Sequence, residues 1–202
     1  PTIYNSHMVK FDPQKHHRHS IRLKGFDYSS AGAYFVTIVA WRREMLFGDV
    51  VGGAAVLNRN GHIVRDAWFD LVNHYRHVEL GAFVIMPNHV HGIIVLVDGG
   101  RGGSPALGKT HLPNDLHTDK DILLINQTRP YVKPKPRHGL PEIVRAFKSF
   151  SARRINRLRR TDGIPVWQRN YYEHIIRNER EWENIHRYIQ SNPSMWAEDE
   201  EN

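Results

Sequence analysis

The chain contains no cysteine among its 202 residues. Disulfides and thiolate metal sites are therefore excluded, and we expect a reducing, cytoplasmic setting. Long hydrophobic runs are also absent. No segment approaches the ~20 apolar residues that cross a membrane, and the N-terminal stretch lacks the apolar core of a signal peptide, so no membrane partner is expected.

Basic residues outnumber acidic ones by 28 to 21, which gives a net charge of +7. Four of the acidic residues lie in the last five positions, so the rest of the chain is more basic than the net charge suggests. A body of this charge favours a polyanionic partner.

Composition also divides the chain into parts. Residues 1–20 combine a "SHM" sequence, typical of a vector remnant, with a basic, histidine-rich lead. Residues 98–139 are rich in glycine, proline and charge without periodicity, which is typical of a flexible insertion. Residues 198–202 form an acidic tail. The remainder, residues 21–197, is predicted to be a single domain that carries the insertion.

Hydrophobic periodicity predicts the secondary structure. In chain order we expect a strand at 33–40, a glycine-punctuated hairpin at 46–61, a helix at 62–75, strands at 79–86 and 89–97, a helix around 144–158, a strand within 164–177 and a final helix from about Asn178. Without the hairpin and the insertion, the order is βαββαβ plus a C-terminal helix. This order predicts an α+β fold with a ferredoxin-like, RRM-like antiparallel sheet and helices on one face.

Two histidines stand one residue apart in "MPNHVHGIIVL", where a predicted strand begins. Side chains at i and i+2 of a strand point to the same face, so His89 and His91 are expected to lie side by side. Neutral imidazole is a common ligand of divalent metals, and the pair could form half of a metal site. Two ordinary half-buried histidines, each hydrogen-bonded, remain the alternative.

The last predicted helix carries two neighbouring stripes. Trp182, Ile185 and Ile189 form an apolar stripe at helical spacing. Tyr188 and Asn192 lie one turn apart on an adjacent polar stripe. If the apolar stripe packs on the sheet, the tyrosine and the asparagine could lie beside the histidine pair.

Three motifs in this order, "MPNHVHGIIVL", "VWQRNYYEHIIRNE" and "YIQSNP", resemble those of the REP-associated tyrosine transposases. These belong to the HUH single-tyrosine transposases of insertion sequences, whose name describes a histidine-hydrophobic-histidine motif. The resemblance covers residues 21–197 apart from the insertion. It implies an enzyme that cleaves and rejoins single-stranded or hairpin DNA, working as a monomer or a homodimer.

The resemblance also implies roles for individual residues. Tyr188 matches the nucleophile, which attacks a scissile phosphate and leaves a 5′-phosphotyrosine and a free 3′-OH. His89 and His91 match two ligands of a divalent metal, Mg²⁺ or Mn²⁺, and Asn192 matches the third, where relatives often have glutamine. His174 and Gln168 are candidate auxiliary groups.

Other aromatic residues near the second motif have alternative interpretations. Tyr171 and Tyr172 are rival nucleophiles, although tandem aromatics in a strand more often serve packing. Together with Trp167 they are also candidates for base stacking.

The helix around 144–158 has an unmixed basic face. Because charged faces usually mix signs, this face favours phosphate contact, with a solvated surface as the alternative. The basic residues from 143 to 160 are Arg145, Lys148, Arg153, Arg154, Arg157, Arg159 and Arg160.

Two further functions fit the same sequence. A non-catalytic binder of nucleic-acid hairpins would keep the fold and the basic helix. A replication initiator or relaxase of the same superfamily would keep the chemistry as well, although the short chain has no helicase segment.

Overall fold

A computed structural model describes residue 23, residues 25–98 and residues 138–198. The predicted insertion, the N-terminal lead and the acidic tail lie almost wholly outside the described residues. The elements, in chain order, are β1 (Gly32–Val39), a short 3₁₀ turn (Trp41–Arg43), β2 (Gly48–Val51), β3 (Ala54–Leu57), α1 (Arg59–Phe69), α2 (Leu71–His74), β4 (Val78–Ile85), β5 (His89–Leu96), α3 (Leu140–Arg159), β6 (Tyr172–Ile176), α4 (Glu179–Ser191) and a second 3₁₀ segment (Asn192–Glu198).

Four of the strands form one antiparallel sheet in the order β4-β5-β1-β6. Strands β2 and β3 form a separate hairpin. With the hairpin set aside, the strands follow the order 2-3-1-4, which is that of the ferredoxin-like fold. The predicted α+β architecture is confirmed.

One face of the sheet carries the main hydrophobic core. Tyr34, Val36 and Ile38 alternate along β1 and are fully buried on this face with residues from α1 and α3. Gly92 of β5 belongs to the same layer, and a Cβ added there would lie 2.5 Å from the ring of Trp68. The glycine that follows the histidine pair is therefore required by the close approach of a tryptophan.

The opposite face of the sheet is covered by α4. Phe35 of β1 and Ile93 of β5 pack against Ile189, with Trp182 and Ile185 at the margin of this smaller cluster. The predicted apolar stripe of the last helix is confirmed as its sheet-facing side. Because His89 and His91 share the alternation of Ile93 along β5, they also lie on the α4 face.

Several predicted boundaries differ from the observed ones; α3, for example, begins at Leu140 rather than near residue 144. Two of the differences have a clear local cause. The predicted helix at 62–75 begins earlier, because the side chain of Asn58 accepts hydrogen bonds from the N–H groups of Asn60 and Gly61 and caps α1, and the helix is interrupted at Asp70. The predicted fourth strand is only five residues long, since the chain before it joins the sheet through a single bridge between Ala40 and Trp167. None of the helices in the described part of the chain is long and apolar enough to span a membrane.

Candidate functional site

The two histidines of the H-x-H motif meet at the end of β5. Nε2 of His89 lies 2.9 Å from Nε2 of His91, and both side chains are buried. Their common orientation follows from the two-residue repeat of a strand, as the sequence predicts. The ring of His91 stacks on Phe35 of the neighbouring strand, with the centroids 5.5 Å apart.

The other nitrogen of each imidazole is held by a protein oxygen. Nδ1 of His89 lies 2.8 Å from Oδ1 of Asn88, and Nδ1 of His91 lies 2.8 Å from Oγ1 of Thr37. The amide oxygen of Asn88 can only accept, so Nδ1 of His89 donates and Nε2 keeps its lone pair. When Nδ1 of His91 likewise donates to Oγ1 of Thr37, Nε2 of each histidine carries a lone pair, and the two lone pairs point to the same position between the rings. This is the arrangement in which histidine ligands are oriented by a partner at their second nitrogen.

The histidine pair fits a metal ion as two adjacent ligands. Nitrogen ligands lie about 2.0–2.1 Å from a first-row metal, so two of them at a right angle are roughly 3 Å apart, close to the observed 2.9 Å. No set of three histidine, aspartate or glutamate side chains with metal-binding geometry occurs within residues 25–98 and 138–198. Asn192, buried at the end of α4, is the residue that the motif resemblance assigns to the third ligand position.

Tyr188 reaches the histidine pair from α4. Its hydroxyl oxygen lies 3.2 Å from Nε2 of His91, and its ring packs edge-on against Phe35 with centroids 6.0 Å apart. The next residue, Ile189, is buried against the sheet and fixes the helix, while the side chain of Tyr188 is 45% exposed. The phenol is therefore anchored at the pair yet accessible to a large substrate.

The two candidate auxiliary residues are held by other contacts. Nε2 of His174 lies 3.4 Å from a carboxylate oxygen of Glu181 in the first turn of α4. The hydrogen bond from the backbone N–H of Arg177 and, to a smaller extent, the contact with His174 lower the pKa of the Glu181 carboxyl. These contacts connect β6 to the start of α4. Gln168 joins the end of β1 through its backbone N–H, which donates to the carbonyl of Val39.

The aromatic residues of the second motif separate into different environments. Tyr172 pairs with Thr37 across the sheet, shares the face of the histidine pair and is 52% exposed. Tyr171 packs at the margin of the main core, under the ammonium group of Lys148. Trp167 is a core residue, 7% exposed and donating from Nε1 to Oγ of Ser151, so the structure contradicts the prediction that it stacks bases.

The basic helix α3 lies on the face of the sheet opposite the histidine pair. Its exposed arginines point to solvent, although Arg154 also contacts Asp70 and Arg153 contacts Ser149. The exposed set is Arg145, Arg153, Arg154, Arg157, Arg159 and Arg160. Any phosphate contact that they make is therefore separate from the chemistry at the histidine pair.

Lys148 does not belong to this exposed set. Its Nζ donates to the carbonyls of Gln168, Arg169 and Asn170 at 2.9, 3.3 and 2.9 Å. Burial lowers the pKa of Lys148 to about 8. An ammonium group has three hydrogens to donate, and all three have carbonyl acceptors here, so Lys148 fastens the loop before β6.

Sequence reasoning missed Thr37 and Asn88 as parts of the site. Asn88 reads as a turn residue after proline, and Thr37 reads as a strand-forming residue. The signal for Thr37 is the register that pairs it with His91, which is a long-range property of the sheet.

A separate groove is remote from these residues. It has a volume of about 820 Å³ and lies at the other end of the sheet, beside Gly32, Leu96, Ile176 and Trp182. Its lining is mostly apolar and lacks both histidines of the pair, so it is not part of the candidate site.

Comparison with known proteins finds a relative that matches almost the whole chain. No protein-family model matches the chain. An uncharacterized protein of Haemophilus influenzae is 37% identical over 198 residues, which span 95% of this chain and 97% of the relative. The chain belongs to the family of this Haemophilus protein.

Two solved structures are similar at lower identity. A REP-associated tyrosine transposase bound to a REP hairpin is 18% identical with a TM-score of 0.47, over 81% of this chain and 67% of that one. A protein of Deinococcus radiodurans R1, provisionally assigned to the transposases, is 17% identical with a TM-score of 0.41, over 84% of this chain and 95% of that one. At these values neither likeness identifies the activity of the chain.

Proposed function

We propose that the chain is a metal-dependent single-stranded DNA transferase of the transposase class, with Tyr188 as its nucleophile. The observation that supports this proposal most directly is the contact of 3.2 Å between the Tyr188 hydroxyl and Nε2 of His91, which itself lies 2.9 Å from Nε2 of His89. A phenol can act as the nucleophile in a phosphoryl transfer, and two imidazoles can hold a metal ion that stabilises the charge on the phosphate, so these three groups fit the proposed reaction.

The proposed reaction exchanges one phosphodiester bond for another. The Tyr188 oxygen attacks the scissile phosphorus, the P–O3′ bond breaks, and the leaving 3′ oxygen takes up a proton. The products are a 5′-phosphotyrosine and a free 3′-OH. Because the phosphorus keeps its diester state, a 3′-OH can attack it and release the tyrosine, so rejoining requires no external energy source.

His89, His91 and Asn192 would hold the metal ion, Mg²⁺ or Mn²⁺, which when bound polarises the scissile phosphate. Phosphate substrates favour these hard ions, although imidazole also suits softer ones. Thr37 and Asn88 would orient the two imidazoles through Nδ1.

Tyr188 needs to lose its proton before it can react, since a phenol has a pKa near 10. In the structure its hydroxyl contacts Nε2 of His91, the nitrogen that would bind the metal. One lone pair cannot serve both partners. With Nε2 of His91 given to the metal, the hydroxyl would release its proton to solvent and would be free to contact the phosphate.

The substrate in this proposal is hairpin-forming single-stranded DNA, a choice that rests on the motif resemblance. The exposed arginines of α3 support a duplex contact, because they form a basic surface on the face away from the histidine pair. In this arrangement the double-stranded stem of the hairpin binds the arginines of α3, and the single strand next to the stem reaches the histidine pair. The duplex and the cleavage site then lie on opposite sides of the sheet.

A covalent-adduct assay tests the proposed function. The protein is incubated with labelled single-stranded hairpins and Mn²⁺, and denaturing electrophoresis then separates free DNA from protein-linked DNA. We expect an adduct that requires the metal and disappears with EDTA. DNA binding without any adduct would instead support the non-catalytic hairpin binder, whereas an adduct formed only on replication-origin or transfer-origin strands would support the initiator or relaxase.

A further inference from the structure

The turn that follows β1 has an uncommon backbone. Arg42 and Arg43 both have a left-handed conformation, with φ values of 56° and 55°. Residues with a side chain avoid this region at a cost of about 1–2 kcal/mol each, and glycine or asparagine usually occupies it. Two successive arginines at such positions suggest that the side chains have a use which offsets the backbone cost.

Backbone hydrogen bonds fix this turn at the end of the sheet. The N–H of Trp41 donates to the carbonyl of Val166 at 2.8 Å, and the N–H of Arg43 donates to the carbonyl of Ala40 at 3.0 Å. The N–H of Ala40 donates in turn to the carbonyl of Asn88 at 2.7 Å. The turn is therefore attached to the loop that leads into the histidine pair.

The side chain of Asn88 links the turn to the pair directly. Its Nδ2 lies 3.5 Å from the carbonyl of Arg43, a long contact, and its Oδ1 accepts from Nδ1 of His89 at 2.8 Å. One amide thus contacts both the arginine turn and a candidate metal ligand. Val39, just before the turn, pairs with His89 across the sheet, which confirms that the two features share one end of it.

The turn presents an aromatic ring and a cation to solvent. Trp41 is 36% exposed, although both its backbone N–H and its carbonyl make hydrogen bonds. Arg42 is also exposed. Tyr172, also exposed, lies at the same end of the sheet on β6. Single-stranded DNA is held by this combination, in which cations contact phosphates and aromatic rings stack on bases.

We infer that the Trp41–Arg43 turn is a docking site for the single strand beside the scissile phosphate. The guanidinium of Arg42 contacts a backbone phosphate, and the indole of Trp41 stacks on a base. Through Asn88, the strand held by the turn has a fixed position relative to His89. This inference rests on the proposed function for the location of the scissile phosphate, but the binding itself is independent of cleavage.

The test uses substitutions that separate charge from backbone conformation. Arg42→Asn removes the cation while keeping a residue that tolerates the left-handed region, and Arg42→Lys keeps the charge. Arg76→Asn is the control, because Arg76 is also an exposed turn residue but precedes β4 at the opposite end of the sheet. Trp41→Ala tests the stacking contact.

Affinity for a labelled oligo(dT) strand, which forms no hairpin, is measured by fluorescence anisotropy in EDTA over a range of salt concentrations. We expect Arg42→Asn to bind more weakly, with a salt slope less negative by about 0.7, the value for one phosphate contact on a single strand. Arg42→Lys and Arg76→Asn should bind like the wild type, and Trp41→Ala should bind at least about fivefold more weakly. Thermal denaturation should show that Arg42→Asn is as stable as the wild type or more so.

Two outcomes would overturn the inference. In one, Arg42→Asn keeps the wild-type affinity and salt slope. In the other, Arg76→Asn weakens binding as much as Arg42→Asn does, which would indicate a general charge effect. A wild-type protein that forms no adduct with Mn²⁺ but binds oligo(dT) through Arg42 would contradict the proposed transferase and support the docking site. Normal adduct formation together with oligo(dT) binding that does not depend on Arg42 would support the transferase and contradict the docking site.

Discussion

The hydroxyl of Tyr188 lies 3.2 Å from Nε2 of His91, although 97 positions separate the two residues in the chain. The contact exists because α4 packs on the sheet face that carries the histidines, with Ile189 buried beside Tyr188. It joins the candidate nucleophile to a candidate metal ligand. The expected effects of substitutions at and around this contact follow from its geometry.

Metal affinity should depend on His91. His91→Gln keeps most of the side-chain volume at this buried position but removes the imidazole, so we expect Mn²⁺ to bind at least about tenfold more weakly by isothermal titration calorimetry. His62→Ala is the control, because His62 is exposed on α1. Equal Mn²⁺ affinity in wild type and His91→Gln would exclude the pair as the metal site.

Thr37 should act on the metal through His91. Thr37→Val keeps the branched shape at a position that is 6% exposed and removes the oxygen that contacts Nδ1 of His91. We expect metal affinity to fall by about 10–100-fold, as for other partners of ligating histidines. Thr161→Val, which removes a hydroxyl bonded to Asn156, should leave metal affinity unchanged. A Thr37→Val protein with wild-type metal affinity would show that His91 needs no such partner.

Lys148 should make stability depend on alkaline pH. Burial lowers its pKa from 10.5 to about 8, so between these values the unfolded chain holds more protons than the folded one, and the free energy of unfolding should rise with pH. The comparison is with Lys148→Met, which lacks this titration. Urea denaturation from pH 8 to 10.5 should show a growing stability difference in favour of the wild type. A shrinking difference would mean that the three carbonyl acceptors favour the charged form more than burial disfavours it.

The arginines of α3 should contribute to affinity and leave the chemical step unchanged. Reversing charge at Arg153 and Arg157 should weaken binding to all hairpins alike and make the salt slope less negative by about 0.9 for each DNA phosphate that the variant no longer binds. The single-turnover rate of adduct formation at saturating DNA should stay constant, because α3 lies on the opposite sheet face. Reversing Arg177 and Arg180, which changes the net charge equally, is the control. An unchanged affinity and salt slope would indicate an ordinary solvated face.

Local patterns were sufficient to predict much of the fold. The spacing of Trp182, Ile185 and Ile189 predicts the face by which α4 packs, because a helical stripe must be buried against some other element. The two-residue repeat predicts that His89 and His91 share a face, because that follows from strand geometry alone.

Other features depend on contacts that are distant in the sequence. In the sequence Lys148 is one of several basic residues on a helix. Its role as a hydrogen-bond donor within the fold depends on the position of the loop at 168–170, which supplies the carbonyl acceptors. Trp167 reads as an accessible aromatic, but Phe47 and Phe147 enclose it. The left-handed conformation of Arg42 has no signature in residue type, because glycine and asparagine are the usual residues there.

Mapping the covalent adduct in Tyr188→Phe tests the central claim most directly. The substitution keeps the ring that packs against Phe35 and removes only the hydroxyl, so folding and DNA binding should be nearly unchanged. Tyr171→Phe and Tyr172→Phe are the controls and should form the adduct. With single-stranded hairpin DNA and Mn²⁺, we expect wild-type protein to give a denaturant-resistant adduct on the tryptic peptide that contains Tyr188, and Tyr188→Phe to give none. An adduct that persists in Tyr188→Phe would contradict the account, and its peptide would identify the tyrosine that reacts instead.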